Sequence, residues 1–310
     1  MPATPPGFGK YVDLQLNGYA GVDFNSDDLT VEAIHEACEQ LRADGVAHGL
    51  ATIITDDLDA MCRRLMKLVQ LRSQDSLAET MISGFHVEGP FISAEPGYVG
   101  AHPAHAAMPA TQDAAARLNE AAGGLLRLMT LAPECDAGGA VTRWLTQQGV
   151  RVSAGHCNPT LDELKQAIDA GLSMFTHLGN GCPLQLHRHD NIIQRVLSLS
   201  DRLWICFIAD GVHVPFVALK NYLNIVGRQR AIVVTDAIAA AGKGPGVYRL
   251  AGQEVLVDER LATWAPDKSH LVGSACTMRH AVGNLQRELA CSPQFIEQLT
   301  VANPRQALGL

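Results

Sequence analysis

The 310-residue sequence contains no C-x-x-C pair, no run of about 18 apolar residues and no long basic stretch. Its eight cysteines stand apart, at 38, 62, 135, 157, 182, 206, 276 and 291. Free, reduced thiols in a cytosolic protein are therefore expected, not a disulfide framework. Without a long apolar run there is no candidate membrane-spanning helix. The opening Met1-Pro2-Ala3-Thr4-Pro5-Pro6 has neither the basic start nor the apolar run of a signal peptide, and is expected to be a frayed end. A net charge of −8 and a pI near 5.8 argue against nucleic acid or an anionic membrane as partner. Linkers, internal repeats and low-complexity segments are also missing. What is present is a 47% hydrophobic, 18% charged chain that can bury a sizeable core.

Eight strand candidates can be counted, at about 11–16, 48–54, 81–87, 126–131, 150–154, 174–176, 203–208 and 231–235. Most are near-continuous apolar runs, as expected of parallel strands buried on both faces. Helix-like segments follow at about 30–44, 57–72, 111–122, 137–148, 160–170, 189–199, 214–226 and 277–290. Thr160 with Glu163 forms a capping-box signature, and Gly171 fits that helix's end. Strict alternation predicts a parallel sheet, and eight units in about 300 residues predict a (β/α)₈ barrel. A doubly wound open sheet is the competing architecture, weakened because no Gly-rich phosphate fingerprint follows the first strand. Residues 1–310 are thus expected to form one barrel domain. A small hairpin insertion at about 243–272 would lie over its mouth, carried by Tyr248–Leu250 and Glu254–Asp258.

Four polar residues end four of these strands. Phe85-His86-Val87-Glu88-Gly89-Pro90 delivers Glu88 to a turn. Ser153-Ala154-Gly155-His156, Phe175-Thr176-His177 and Val233-Val234-Thr235-Asp236 deliver the others. Each alone is more often a solvated loop glutamate, a capping or core-edge histidine, or a turn-capping aspartate. Together they share the position where a barrel builds its active site. Glu88, His156 and His177 make three ligands suited to zinc with a fourth position open for water, which the metal acidifies. Asp236 can accept a proton and pass it on. Cys157 and Cys182 lie close enough in sequence to compete as ligands, although His156 holds the better position. His102, after Gly100-Ala101, can donate to a carbonyl oxygen as charge develops. His35, His48 and His105 have no such context. Gln15 and Asn17, at the end of strand 1, are poor metal ligands and predict one metal, not two.

These motifs together resemble the N-acetylglucosamine-6-phosphate deacetylases of the amidohydrolase superfamily. The likeness runs from Val12-Asp13-Leu14-Gln15-Leu16-Asn17-Gly18, through Gly100-Ala101-His102, Thr130-Leu131-Ala132-Pro133-Glu134, Ala209-Asp210-Gly211-Val212-His213 and Gly273-Ser274-Ala275, to Asn303-Pro304-Arg305-Gln306-Ala307-Leu308-Gly309-Leu310. It implies that Glu88, His156 and His177 bind one divalent ion, most simply Zn²⁺, and that Asp236 is general base and acid. It implies that His102 polarises the acetyl carbonyl. Ala101, Asn180, Gly181, His213, Leu271, Gly273 and Gln15 would join His102 around the sugar. The expected reaction is hydrolysis of the acetamido group of an amino sugar, giving acetate and a free amine, in cytoplasmic amino sugar metabolism.

Two departures from the family stand out. Its members usually wrap a β-sandwich around the barrel, and this sequence reads as a shortened form without it. After Asn180, where members carry a Gly-Arg-Glu-Pro-Gly-like stretch, this chain has Gly181-Cys182-Pro183-Leu184-Gln185-Leu186-His187-Arg188-His189-Asp190-Asn191. In some members that arginine reaches a neighbouring subunit's substrate, so Arg188 is the candidate phosphate clamp and a homodimer is compatible with it. The bland reading pairs Arg188 with Asp190. Two other functions compete: a barrel amidohydrolase acting on an unphosphorylated acetamido sugar or a cyclic amide, and a sugar-binding relic. The relic would be expected to lack a ligand or the aspartate, and all four are present.

Overall fold

A computed structural model describes residues 10–309. The opening Met1–Pro6 segment and Leu310 lie outside the described residues. Eight strands form one parallel sheet, in sequence order: β1 (Tyr11–Leu16), β2 (Val46–Ile54), β3 (Ile82–Glu88), β4 (Leu126–Leu131), β5 (Arg151–Ala154), β6 (Met174–Phe175), β7 (Trp204–Ile208) and β8 (Ala231–Val234). Their near-unbroken burial is what apolar runs of Val, Ile and Leu produce when helices cover one face and the barrel interior the other. The sheet curls until β1 and β8 meet. The Leu16–Ala237 bridge, the Asn17 and Gly18 N–H bonds to the Ala237 carbonyl, and the Thr235 hydroxyl donating to Asp13 at 2.6 Å hold this seam.

The predicted helices form with bounds shifted by a few residues, for example Val31–Ala43, Leu58–Gln74 and Leu161–Asp169. Thr30, Thr111, Thr160, Asn191, Thr277 and Ser292 each accept a backbone N–H at a helix start. Each such cap contributes about 1 kcal/mol. The Thr160–Glu163 capping box is complete, with both reciprocal bonds made. Several elements were not predicted. A short helix, Ser76–Met81, fills the connection to β3, and helical turns run from Pro293 to Leu308 at the chain's end. There Ala307 and Leu308 pack onto strand side chains including Val12, Leu14, Leu128, Ile208 and Ile232, closing one end of the barrel.

The other end is open. Past β8, Gly246–Leu250 (β9), Gln253–Val257 (β10) and Thr263–Trp264 (β11) form an antiparallel sheet. Its third strand and the small Gly18–Tyr19/Val22–Asp23 ladder add to what the sequence predicted. Among the described residues no other sheet is present. No described helix is long and apolar enough to cross a membrane.

Candidate active site at the open end of the barrel

The strand ends bring the four polar residues together. Glu88 is the last residue of β3 and is 2% exposed. One of its oxygens, Oε1, lies 2.9 Å from His177 Nε2 and 3.2 Å from His156 Nε2. The two imidazole Nε2 atoms are 3.3 Å apart. His156, His177 and Asp236 follow β5, β6 and β8, all with left-handed backbone, at φ 52°, 31° and 53°. That turn is uncommon for residues with a Cβ and marks a constrained site. Gly100 and Gly181 flank the His156 ring, each also left-handed. A Cβ at either would come within 3.0 Å of the imidazole.

Neighbouring groups fix each side chain. The Tyr98 carbonyl lies 2.9 Å from His156 Nδ1, so Nδ1 donates there and the Nε2 lone pair faces the cluster. Gln15 Nε2 donates to the second Glu88 oxygen at 2.9 Å. Asn17 Nδ2 donates to Asp236 Oδ1 at 2.7 Å, leaving Asn17 Oδ1 buried with no hydrogen-bond partner. Beneath, His86, Thr130, Thr176 and Ser153 form a chain of 2.7 Å hydrogen bonds. His102 Nδ1 accepts from the Thr55 backbone N–H at 3.3 Å and lies 2.8 Å from its hydroxyl. A backbone N–H can only donate, so the neutral ring carries its proton on Nε2, 4.0 Å from Glu88.

Electrostatics agree with this arrangement. Burial raises the Glu88 carboxyl, but contacts with His156 and His177 outweigh it and hold it well below its usual range. Burial lowers His177, but Glu88 reverses the effect and draws a proton towards that ring. The trio thus has a buried carboxylate seeking positive charge and two inward-facing imidazole nitrogens, a donor set that fits a divalent ion. Burial, helped by the charge on Glu88, lifts Asp236 to about 6. Burial and His156 push His102 down to about 3, so it is a neutral donor.

A cavity of about 710 Å³ opens above these residues. Ala101, His102, Asn180, Gly181, His213, Leu271 and Gly273 line it, as do Asn17 and Trp264. His213 Nδ1 lies 2.6 Å from Asp210 Oδ2. Burial raises Asp210, but His213 and two backbone N–H groups hold it below its usual value, so the carboxylate is ionised and His213 Nδ1 donates to it. Two expected contacts lie elsewhere. Gln15, 1% exposed, is off the cavity wall and takes its place as the partner of Glu88. Arg188 is exposed, off the wall, and has no ion-pair or hydrogen-bond partner among the described residues. Asp190 pairs with Arg195 at 2.6 Å instead. No lysine or arginine lines the cavity among the described residues.

A parallel barrel whose strand ends carry Glu, two His and an Asp above an open cavity has the architecture of the amidohydrolase-type barrel hydrolases. No family model matches the sequence. Known relatives do. The chain is 30% identical to the N-acetylglucosamine-6-phosphate deacetylase of Bacillus subtilis over 301 residues, 96% of this chain and 74% of that protein. It is 30% identical to the N-acetylgalactosamine-6-phosphate deacetylase of Escherichia coli O157:H7 over 303 residues, 97% of this chain and 77% of that one. A mutant N-acetyl-D-glucosamine-6-phosphate deacetylase of Mycobacterium smegmatis, solved with N-acetyl-D-glucosamine-6-phosphate, superposes with a TM-score of 0.86 at 27% identity, covering 99% of this chain and 82% of that chain. The chain belongs to the N-acetylglucosamine-6-phosphate deacetylase family.

Proposed function

We propose that this protein hydrolyses the acetamido group of an N-acetylated amino sugar 6-phosphate, N-acetylglucosamine-6-phosphate or a close analogue, releasing acetate. The convergence of Glu88, His156, His177 and Asp236 at one end of the barrel carries this reading, with the family likeness over nearly the whole chain. The trio would hold one divalent ion, and its nitrogen and oxygen donors favour Zn²⁺. When bound, the ion supplies Lewis acidity, acidifying water and polarising a carbonyl. Gln15 and Asn17 are already engaged with Glu88 and Asp236, which supports one ion in place of two. The protein would act in the cytoplasm. In a homodimer, Arg188 could reach the neighbouring subunit's substrate.

Asp236 takes the proton of the attacking water and returns it to the sugar nitrogen as the C–N bond breaks. Asn17 holds one carboxylate oxygen and leaves the other for this transfer. His102 donates its Nε2 proton to the acetyl oxygen as negative charge develops there. Thr55 fixes the tautomer this requires. His102→Ala is therefore expected to lower kcat roughly 10²–10³-fold. Steady-state acetate release tests this, and a loss under fivefold would remove His102 from the chemistry.

The cavity wall supports recognition of the acetamido sugar better than of the phosphate. A phosphate favours a bidentate arginine, and Arg188 is the free cation nearest in sequence to the Asn180 loop. Arg188→Ala is expected to raise KM strongly for the 6-phosphate and hardly at all for the unphosphorylated sugar. Equal losses on both sugars would count against a clamp. Acetate release from phosphorylated and unphosphorylated N-acetylhexosamines, compared side by side, tests the reaction itself.

A further inference from the structure

Trp264 ends the third strand of the sheet that overhangs the open end of the barrel, and it lines the cavity. It bridges Leu271 in antiparallel register. Leu271, with Gly273, thus places this strand on the same wall as the backbone expected to close over the sugar. Apart from histidine, Trp264 is the one aromatic on that wall among the described residues. Its Nε1 donates to Asp258 Oδ2 at 3.1 Å, which anchors the indole edge. The residue remains partly exposed. Pro96, Pro183, Leu184 and Leu250 also line this cavity, and Leu184 is fully exposed at 101%. Pro183 packs against Gly97, where a Cβ would come within 2.7 Å of its ring, so the loops after β3 and β6 meet. A partly exposed, edge-anchored tryptophan beside these aliphatic residues, on a wall that also carries the site's polar groups, has the chemistry of a ring platform. An indole face offers large apolar contact area at little cost in conformational freedom, and the C–H face of a pyranose is its natural complement.

We propose that Trp264 is the sugar-stacking platform of this site. This rests on the amino sugar reading above and adds a binding residue to it. The platform supplies affinity and holds the ring while the reacting groups act on the acetamido substituent, so it weighs on KM more than on kcat.

Intrinsic fluorescence tests this without turnover, because Trp264 is one of three tryptophans. The others lie elsewhere: Trp204 beneath Arg230, and Trp144 on the helix Ala140–Gln147. Titrating the metal-loaded protein with glucosamine 6-phosphate, the product, is expected to change the emission saturably. An acyclic acetamide such as N-acetylethanolamine is expected not to. Trp264→Phe should abolish the signal and raise KM only two- to threefold. Trp264→Ala should raise KM about tenfold, with kcat falling less. Trp144→Phe should leave both signal and KM intact. A signal that survives in Trp264→Phe, or a KM in Trp264→Ala within twofold of wild type, overturns the platform. A wild-type protein that shows the signal yet releases no acetate refutes the proposed reaction and leaves the platform standing.

Discussion

Asp236→Asn is expected to keep the fold and the metal while kcat falls about 10³–10⁴-fold, the upper part of the range for a positioned acid–base group. The substitution is isosteric, and an asparagine Oδ1 can still accept from Asn17 Nδ2, so geometry survives and proton transfer does not. The large effect follows from one residue serving both halves of the reaction. Burial, helped by the charge on Glu88, raises the Asp236 carboxyl to about 6 before any cation is bound. The measurement is single-turnover acetate release beside metal analysis of the same preparation. A variant within a few-fold of wild type, metal retained, would move the base elsewhere.

His177→Ala is expected to abolish tight metal binding and to cost about 10⁴-fold or more in activity, since Lewis acidity supplies several kcal/mol of the barrier reduction. His177 Nε2 touches both Glu88 and His156, so its loss removes one corner of the trio. Purified wild type should contain about one equivalent of divalent metal per chain. Chelation should reproduce the variant's loss, and zinc should restore activity to the wild type only. Two tightly bound equivalents, or full activity after thorough chelation, would contradict the mononuclear reading.

Much of this was legible before any coordinates. Parallel barrel strands are buried on both faces, so Ile232-Val233-Val234 and Trp204-Ile205-Cys206-Phe207-Ile208 stand out as unbroken apolar runs, and a polar residue ending such a run has few reasons to be there. The short helix Ser76–Met81 was hidden because six residues give too little periodicity. Tertiary partners were harder still. The Tyr98 carbonyl that orients His156 is a backbone group and has no side-chain signature. Gln15 reads from the sequence as a sugar contact. Its burial, which sequence does not report, places it beside Glu88. Trp264 went unnoticed because β11 has two residues and no alternation to read. The chain's departure at Arg188 was visible, but whether a loop side chain faces its own cavity depends on a path set by contacts such as Pro183 against Gly97.

The left-handed turns at His156, His177 and Asp236 bear on transplanting this chemistry. Successive side chains of a strand alternate between faces, and here a reversal of φ just past the strand re-aims the next residue. Copying only the side chains onto another barrel would leave them pointing along the wrong vectors. Each unusual turn costs on the order of 1–3 kcal/mol, which the host must tolerate. A graft would have to carry the loop backbones too, including Gly100 and Gly181, which leave room for the His156 ring. The unit that could be moved to another scaffold is therefore the set of strand-to-loop corners, not the list of four residues.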